Sequence, residues 1–341
     1  SILKIGHNAK FDIQMLELAG FGSITPVDDT MLLSYVLDGT AHGHGLDELA
    51  ALWCGHTMIS YDEVTGTGKS RISFAEVPLD KACAYAAEDA DFTLRLHAAL
   101  KPRIAEEKMA GIYEDIERPL VQVIADMEMN GIKVDPSVLR SLSQHFGERI
   151  AELEKNIHAL AGHPFNIASP KQLGVVLFEE MGLPGGSKTK TGEWSTAADV
   201  LEKLGREEGN EFVAHILDWR HLSKLRSTYT ESLQDAINQK NGRVHTSFAM
   251  ALTNTGRLSS SDPNLQNIPI RTEEGRLIRT AFVADQGNVL LSADYSQIEL
   301  RLVAEMAGIE ALKSAFINGE DIHARTASEV MGIPLADVNA D

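Results

Sequence analysis

The spacing of apolar residues changes twice along this chain. From residue 105 to 240 they recur at helical spacing, whereas strand-length apolar runs are confined to the ends: Ile2-Leu3-Lys4-Ile5 at the start, then Val244 to Ala251 and Asn288 to Ala293. A chain patterned this way is expected to be α/β plus α: an α/β piece, a helical middle, and a second segment in which strands return. At 341 residues it can build two or three separate cores, with divisions expected at 1–104, 105–240 and 241–341. In the first part the stretch Tyr85 to Leu96 has helical period. In the second, Asp135-Pro136 and Ser169-Pro170 each read as an N-cap followed by Pro at the first helical position, and Gln172 has the spacing to complete a capping box with Ser169. A flexible basic loop is expected at Gly185 to Gly192, then a long amphipathic stretch from Phe212 to Ile237.

Composition narrows the class. Hydrophobic residues make up 43% and charged residues 23%, and no run approaches the roughly 18 uninterrupted apolar residues of a membrane span, so a soluble chain without a membrane partner is expected. With two cysteines and no CxxC pair, neither a disulfide framework nor a zinc cluster is available, which points to a reducing cytoplasm. The opening Ser1-Ile2-Leu3-Lys4 has no leader features and reads as an internal stretch of a longer chain. A net charge of -18 argues against a polyanionic partner, yet residues 215 to 301 carry 10 basic and 9 acidic residues, so that segment alone would tolerate phosphate.

Three signals carry little chemistry. Gly66-Thr67-Gly68-Lys69-Ser70 resembles a phosphate loop, but position 63 is Glu and no apolar strand leads into it, so a polar loop is expected. His42-Gly43-His44 lacks a third ligand at a fixed spacing. Cys54 and Cys83 read as small buried residues.

The segment Val289-Leu290-Leu291-Ser292-Ala293-Asp294 would deliver a carboxylate at the C-terminal end of a strand, where α/β sheets place ligands, with a helix bearing Ile298, Leu302 and Met306 on one face behind it. A carboxylate there can hold a divalent metal beside phosphate. Ser296 and Glu299 also have SxxE spacing, so Glu299 reads equally as a helix cap.

The run Asp294 to Arg301, DYSQIELR, resembles motif A of family A DNA polymerases. Thr255 to Pro269, TGRLSSSDPNLQNIP, resembles that family's primer-template segment; Lys224 to Tyr229 resembles its thumb helix and Asp321-Ile322-His323 a later palm and fingers element. The resemblance implies a helical thumb and the N-terminal half of a polymerase palm. It implies that Asp294 and Tyr295 hold paired Mg²⁺, or Mn²⁺, for in-line phosphoryl transfer. Tyr295, Ser296, Gln297, Ile298 and Glu299, with Arg271, Arg279 and His323, would surround the incoming deoxynucleoside triphosphate, Glu299 as the steric gate against a ribose 2′-hydroxyl. Arg257, Asn264, Gln266 and Asn267 would grip primer-template DNA through minor-groove acceptors shared by all base pairs, and Lys224, Ser227 and Thr228 would track the duplex.

His7-Asn8-Ala9-Lys10-Phe11-Asp12 and Tyr85-Ala86-Ala87-Glu88-Asp89 resemble the second and third motifs of DEDD 3′ to 5′ exonucleases, which have an RNase H-like fold. Tyr85 and Asp89 are one helical turn apart and share a face. The resemblance gives Asp12 and Asp89 metal-binding roles, Tyr85 the orientation of the attacking water, and Asn8 a contact to the DNA end. The family's DxE motif and its second palm Asp have no counterpart in these residues. The expectation is therefore a monomeric portion of a proofreading polymerase that does not polymerise by itself. Two other readings are a stand-alone 3′ to 5′ exoribonuclease with helical extensions, which would lack Asp294 to Arg301, and a catalytically silent DNA-binding fragment.

Overall fold

The structure, a computed structural model, describes residues 2–22, 24–334 and 337–338. Strands β1 (Lys4–Gly6) and β2 (Val27–Asp29) pair in parallel, Lys4 opposite Val27 and Gly6 opposite Asp29, with α1 (Ala9–Leu18) crossing between them. Gly6 lets α1 lie close: a Cβ there would meet the Ala9 Cβ at 2.9 Å. The turn into α1 puts Asn8 in the left-handed region at φ 56°. Asp29, fully buried, holds that turn, its carboxylate accepting from Asn8 N at 3.1 Å and Ala9 N at 2.8 Å. It also accepts from Met31 N at 2.9 Å, so one side chain caps both α1 and α2 (Thr30–Asp38).

Next come α3 (Leu46–Cys54), α4 (Tyr61–Thr65) and the long α5 (Leu79–Glu106). Leu96, Leu100 and Ile104 recur on one face of α5 and pack with Ile13, Leu32 and Leu49 in a single core. Asp28, 1% exposed, accepts from His97 Nε2 at 2.8 Å and pairs with Lys101 at 3.1 Å and Arg118 at 3.0 Å, tying β2 to α5 and to the helix beyond it. Cys54 and Cys83 are exposed rather than buried. Cys83 stands nine residues before buried Phe92, half a turn round the helix from the core face.

The middle is helical, as its spacing predicts. Here α6 (Ala110–Ile112) runs through a π-helical turn into α7 (Arg118–Asn130); a short strand, β3 (Ile132–Lys133), leads to α8 (Pro136–Ala161) and α9 (Pro170–Val175). Asp135 and Ser169 cap α8 and α9 as expected, but Gln172 turns its oxygen to Asn166 N at 2.8 Å, so the reciprocal half of the capping box is not made. The basic loop is closed by a bridge between Lys188 and Trp194, with the ammonium 4.8 Å from the indole ring centre. After α10 (Ala198–Glu208), the amphipathic stretch becomes α11 (Glu211–Leu225), a π-helical turn and α12 (Ser232–Asp235), packed on α8 through Phe146, Leu225 and Tyr229.

The expected strand from Val244 to Ala251 is divided. β5 (Arg243–Val244) joins β3 and β4 (Ile237–Asn238) in an antiparallel sheet, whereas β6 (Ser247–Ala249) pairs with β7 (Ser259–Ser261). Thr246 makes the break: its hydroxyl lies 2.7 Å from Ser260 Oγ and donates to the Ser261 and Pro263 carbonyls, so the chain changes sheets there. α13 (Glu273–Arg279) ends this first compact unit, which runs to residue 286.

The second unit, from residue 287, contains α14 (Ile298–Met306), α15 (Glu310–Ile317) and α16 (Ile322–Met331). The strand expected at Asn288 to Ala293 is not formed: the segment is irregular, with Val289 86% and Leu291 90% exposed. A strand is held by its ladder, and among the described residues none pairs with this one. Leu302 and Met306 are exposed as well.

Burial pushes the Asp29 pKa up to about 6 against an ordinary 3.8, and the four backbone N–H groups around it oppose that rise. The native state then binds this proton more tightly than the unfolded chain, and stability falls as pH rises from about 4 to about 6. Urea melts at stepped pH should show wild type losing about 3 kcal/mol relative to Asp29→Asn across that window, and no further difference above it. A difference between the two proteins that is the same at every pH would refute the assignment.

Candidate functional site

The first turn of α1 and the second and third turns of α5 line a cleft of about 560 Å³ that holds Asn8, Asp12, Tyr85 and Asp89. Four residues picked out by motif resemblance in two distant segments thus line one cleft. Asp12 sits over Gly6, where an added Cβ would lie 3.6 Å from its Oδ2. The Tyr85 hydroxyl donates to the Asp89 carboxylate one turn along α5, and the Tyr61 and Phe74 rings stand 6.3 and 5.8 Å from the Tyr85 ring. Glu88 is directed elsewhere, accepting from His56 and from Ile59 N, each at 2.7 Å.

The cleft is electrically one-sided. Desolvation raises the pKa of Asp12, and that of Asp89 is raised first by desolvation and then by Asp47 and Glu88, against the Tyr85 hydrogen bond. Tyr85 is raised by desolvation and by the charges of Asp89 and Asp47. His7 supplies no counter-charge: burial lowers its pKa to about 4, so it is neutral at pH 7, with Nδ1 2.9 Å from Thr30 Oγ1. Among the described residues, no Lys, Arg or His lies within ion-pair distance of Asp12, Asp47 or Asp89. Carboxylates that share a cleft with no cation beside them offer hard oxygen donors of the kind a divalent ion takes, and Asp12 and Asp89 are of that type. Among the described residues no group of three or more His, Cys, Asp or Glu could hold an ion, so these donors do not complete a site between them.

Asp47, in the first turn of α3, lines the same cleft and was not selected by the sequence reading. Its only signal is placement at a helix start two residues after a Gly, which many acidic residues share. The motifs set aside stay structural: Gly68–Ser70 is a short 3₁₀ turn, and His44 is engaged by Ser34 Oγ at 2.9 Å and the Gly39 carbonyl at 2.5 Å.

A second group lies on the β6–β7 pair and the segment after it. Arg257 is exposed on the loop entering β7, its carbonyl accepting from Thr253 Oγ1 at 2.8 Å. Asn264 turns back to Gln266 N at 3.0 Å, and the Gln266 amide spends both ends on main chain, donating to the Leu258 carbonyl and accepting from Ser260 N, each at 3.0 Å. Gln266 is thus engaged as a brace of this turn. Asn267 is exposed, and its carbonyl accepts from Tyr229 Oη at 2.5 Å, which joins the segment to the turn after α11. Lys224, Ser227 and Thr228 are exposed at i, i+3 and i+4 while Leu225 and Tyr229 are buried, so the three form one outward stripe. Arg271 is exposed, whereas the Arg279 guanidinium is tied to the carbonyls of Ile268 at 2.8 Å and Pro269 at 3.2 Å.

In the second unit Asp294, Tyr295 and Ser296 are exposed in irregular chain. The helix begins at Ile298 with Gln297, not Ser296, as its N-cap, at φ 53° and with no side-chain cap bond. The capping-box reading of Ser296 and Glu299 is therefore out of register: three residues after this N-cap stands Leu300. Glu299 lies in the helix's first turn, and Arg301 Nε donates to the Ser296 carbonyl at 2.9 Å. His323 is exposed at the start of α16, its N–H bonded to Asp321 Oδ1 at 2.8 Å.

Comparison with known proteins covers both sites. Residues 136–341 match the family described as DNA polymerase family A, and residues 1–105 match one described as 3'-5' exonuclease. DNA polymerase I of Rhizobium leguminosarum is 53% identical over 335 residues, 98% of this chain and 33% of that protein. That of Pseudomonas aeruginosa is 49% identical over 346 residues, 99% of this chain and 37% of that protein. A solved structure, the POL domain of Pol1 from M. smegmatis in complex with DNA primer-template and dNTP, superimposes with a TM-score of 0.83 at 34% identity, covering 99% of this chain and 55% of that one. The chain spans about a third of the length of the curated relatives it matches, and over that span it belongs to DNA polymerase family A.

Proposed function

We propose that the protein carrying this chain extends a DNA primer on a template with deoxynucleoside triphosphates and removes mispaired 3′ ends. The observation that carries the reading is the convergence of Asp12, Tyr85 and Asp89 on one cleft in a chain of this family. Residues 1–104 would belong to an RNase H-like nuclease, 105–240 to the palm base and thumb, and 241–341 to the first half of the palm. Bound Mg²⁺, or Mn²⁺, would supply an activated nucleophile and neutralise developing phosphate charge. In the nuclease cleft Asp12 and Asp89 would hold that ion with further donors, Tyr85 would orient the attacking water through its hydroxyl, and Asn8 would meet the DNA end. In the polymerase part Asp294 and the Tyr295 main chain would hold metal, and Arg271 and His323 would meet the nucleotide. Arg257, Asn264, Asn267 and the Lys224, Ser227 and Thr228 stripe would lie along primer-template DNA, with Gln266 shaping the turn that presents them.

Asp294 is exposed in irregular chain, and among the described residues no cluster of three acidic or His ligands surrounds it. The 341 residues expressed alone should therefore show no primer extension above a no-enzyme control, and measurable extension would overturn this.

In the full-length protein, Asp89→Ala should reduce excision of a mispaired 3′ end by roughly 10²-fold or more and leave incorporation nearly unchanged. Excision at the wild-type rate would remove the nuclease assignment. Glu299→Ala, in a helix whose N-cap is Gln297, should raise the kcat/KM ratio of ribonucleotide to deoxynucleotide incorporation by roughly tenfold or more. An unchanged ratio would end the steric-gate reading.

A further inference from the structure

Lys10 sits between Asn8 and Asp12 in the sequence, but its side chain is turned away from the cleft those residues line. Its ammonium donates to Glu128 Oε1 of α7 and to the Phe248 carbonyl of β6, both at 2.5 Å, and Lys10 and Glu128 are 7% and 8% exposed. Glu128 gathers three segments. Its Oε2 accepts from Gln14 Nε2 of α1 at 2.6 Å, its Oε1 accepts from Phe248 N at 2.5 Å, and its own carbonyl lies 2.7 Å from His245 Nδ1. Phe248 is paired across the β6–β7 ladder with Ser260, whose N–H is held by Gln266. Contacts thus run within the first unit from α1, through one carboxylate and its hydrogen bonds to Phe248, and then across the facing Phe248–Ser260 pair to the turn carrying Asn264 and Gln266.

A buried ion pair is a poor way to add stability, because an apolar pair of similar volume is often as good or better. Its use is geometric. Both partners also bond the main chain of β6, and a half-satisfied version leaves a buried charge unpaired, so few arrangements of α1 against β6 are tolerated. A cavity of about 330 Å³ beside the cluster, lined from both α1 and β6, leaves part of this contact unfilled, which puts more of the alignment on the polar bonds.

We propose that Glu128 is a positioning residue that aligns the nuclease helix α1 with the primer-template hairpin β6–β7 by bonding Lys10, Gln14 and the Phe248 main chain at once. The proposal rests on the nuclease and primer-template readings of those two elements. Its consequence is selective. Removing a mispaired end from a duplex requires the hairpin and the cleft in fixed relation, whereas digesting a short single strand requires only the cleft.

The test uses the full-length protein with Mg²⁺ and two substrates, a primer-template with a mispaired 3′ end and a short single-stranded oligodeoxynucleotide. Glu128→Gln keeps the size of the side chain but removes its charge; a double variant, Lys10→Met with Glu128→Met, removes the ion pair without leaving a buried charge. Both should lower the ratio of mispaired-duplex to single-strand excision by about fivefold or more, with single-strand excision within about twofold of wild type. A ratio that stays at the wild-type value in both variants, even with a lowered melting temperature, would overturn the proposal and leave the cluster as packing. Loss of both excision activities in equal proportion would overturn it too. Asp89→Ala serves as the control: if it leaves single-strand excision intact, the nuclease reading fails and this proposal falls with it.

Discussion

Two consecutive carboxylates at the end of β2 hold the first hundred residues in place. Asp28 gathers His97, Lys101 and Arg118 and so fixes α5 and α7 against the strand, while Asp29 gathers the amides that open α1 and α2. The four cleft residues Asn8, Asp12, Tyr85 and Asp89 stand on the elements these two carboxylates hold: Asn8 and Asp12 at the capped start of α1, Tyr85 and Asp89 on the anchored α5. The arrangement carries the desolvation of two acids, offset at Asp28 by three cationic partners and at Asp29 in part by backbone N–H groups.

The same economy explains the charge distribution. The chain as a whole is strongly acidic, and its cleft concentrates that sign at Asp12, Asp47 and Asp89 with a neutral His7 alongside. Such a cleft repels phosphate unless a cation is held between. Lys224 and Arg257 are exposed in the first unit, within the stretch from 215 to 301 where basic and acidic residues balance, and a cationic side chain can meet phosphate without an intermediary ion.

Side chains expected to face solvent and ligand divide into those that do and those that brace. Lys224 is exposed, whereas Gln266 and Arg279 spend donors on nearby carbonyls. Substituting a brace would therefore alter a loop's shape before it altered any contact with DNA. Glu128 extends that logic over a longer range, because the groups it joins are 118 residues apart for Lys10 and 120 for Phe248.

By itself the sequence determined what depends on neighbours along the chain. The helical middle, the Asp135 and Ser169 caps, the shared face of Tyr85 and Asp89, and the outward stripe of Lys224, Ser227 and Thr228 all follow from helical period and local hydrogen bonding. Tertiary structure alone decided what depends on partners far away. Asp47 enters the cleft from a helix with no periodic relation to α1 or α5. Thr246 splits a strand by bonding to residues fourteen or more positions on. The apolar run from Val289 to Ala293 has strand composition but stays irregular, because pairing needs a second backbone that none of the described residues offers. Cys83 faces solvent because the core stripe of α5 is set by what packs on it. Period fixes which residues share a face, and only the packing of remote segments fixes which face is buried, which carboxylates converge, and which donors remain free to meet a ligand.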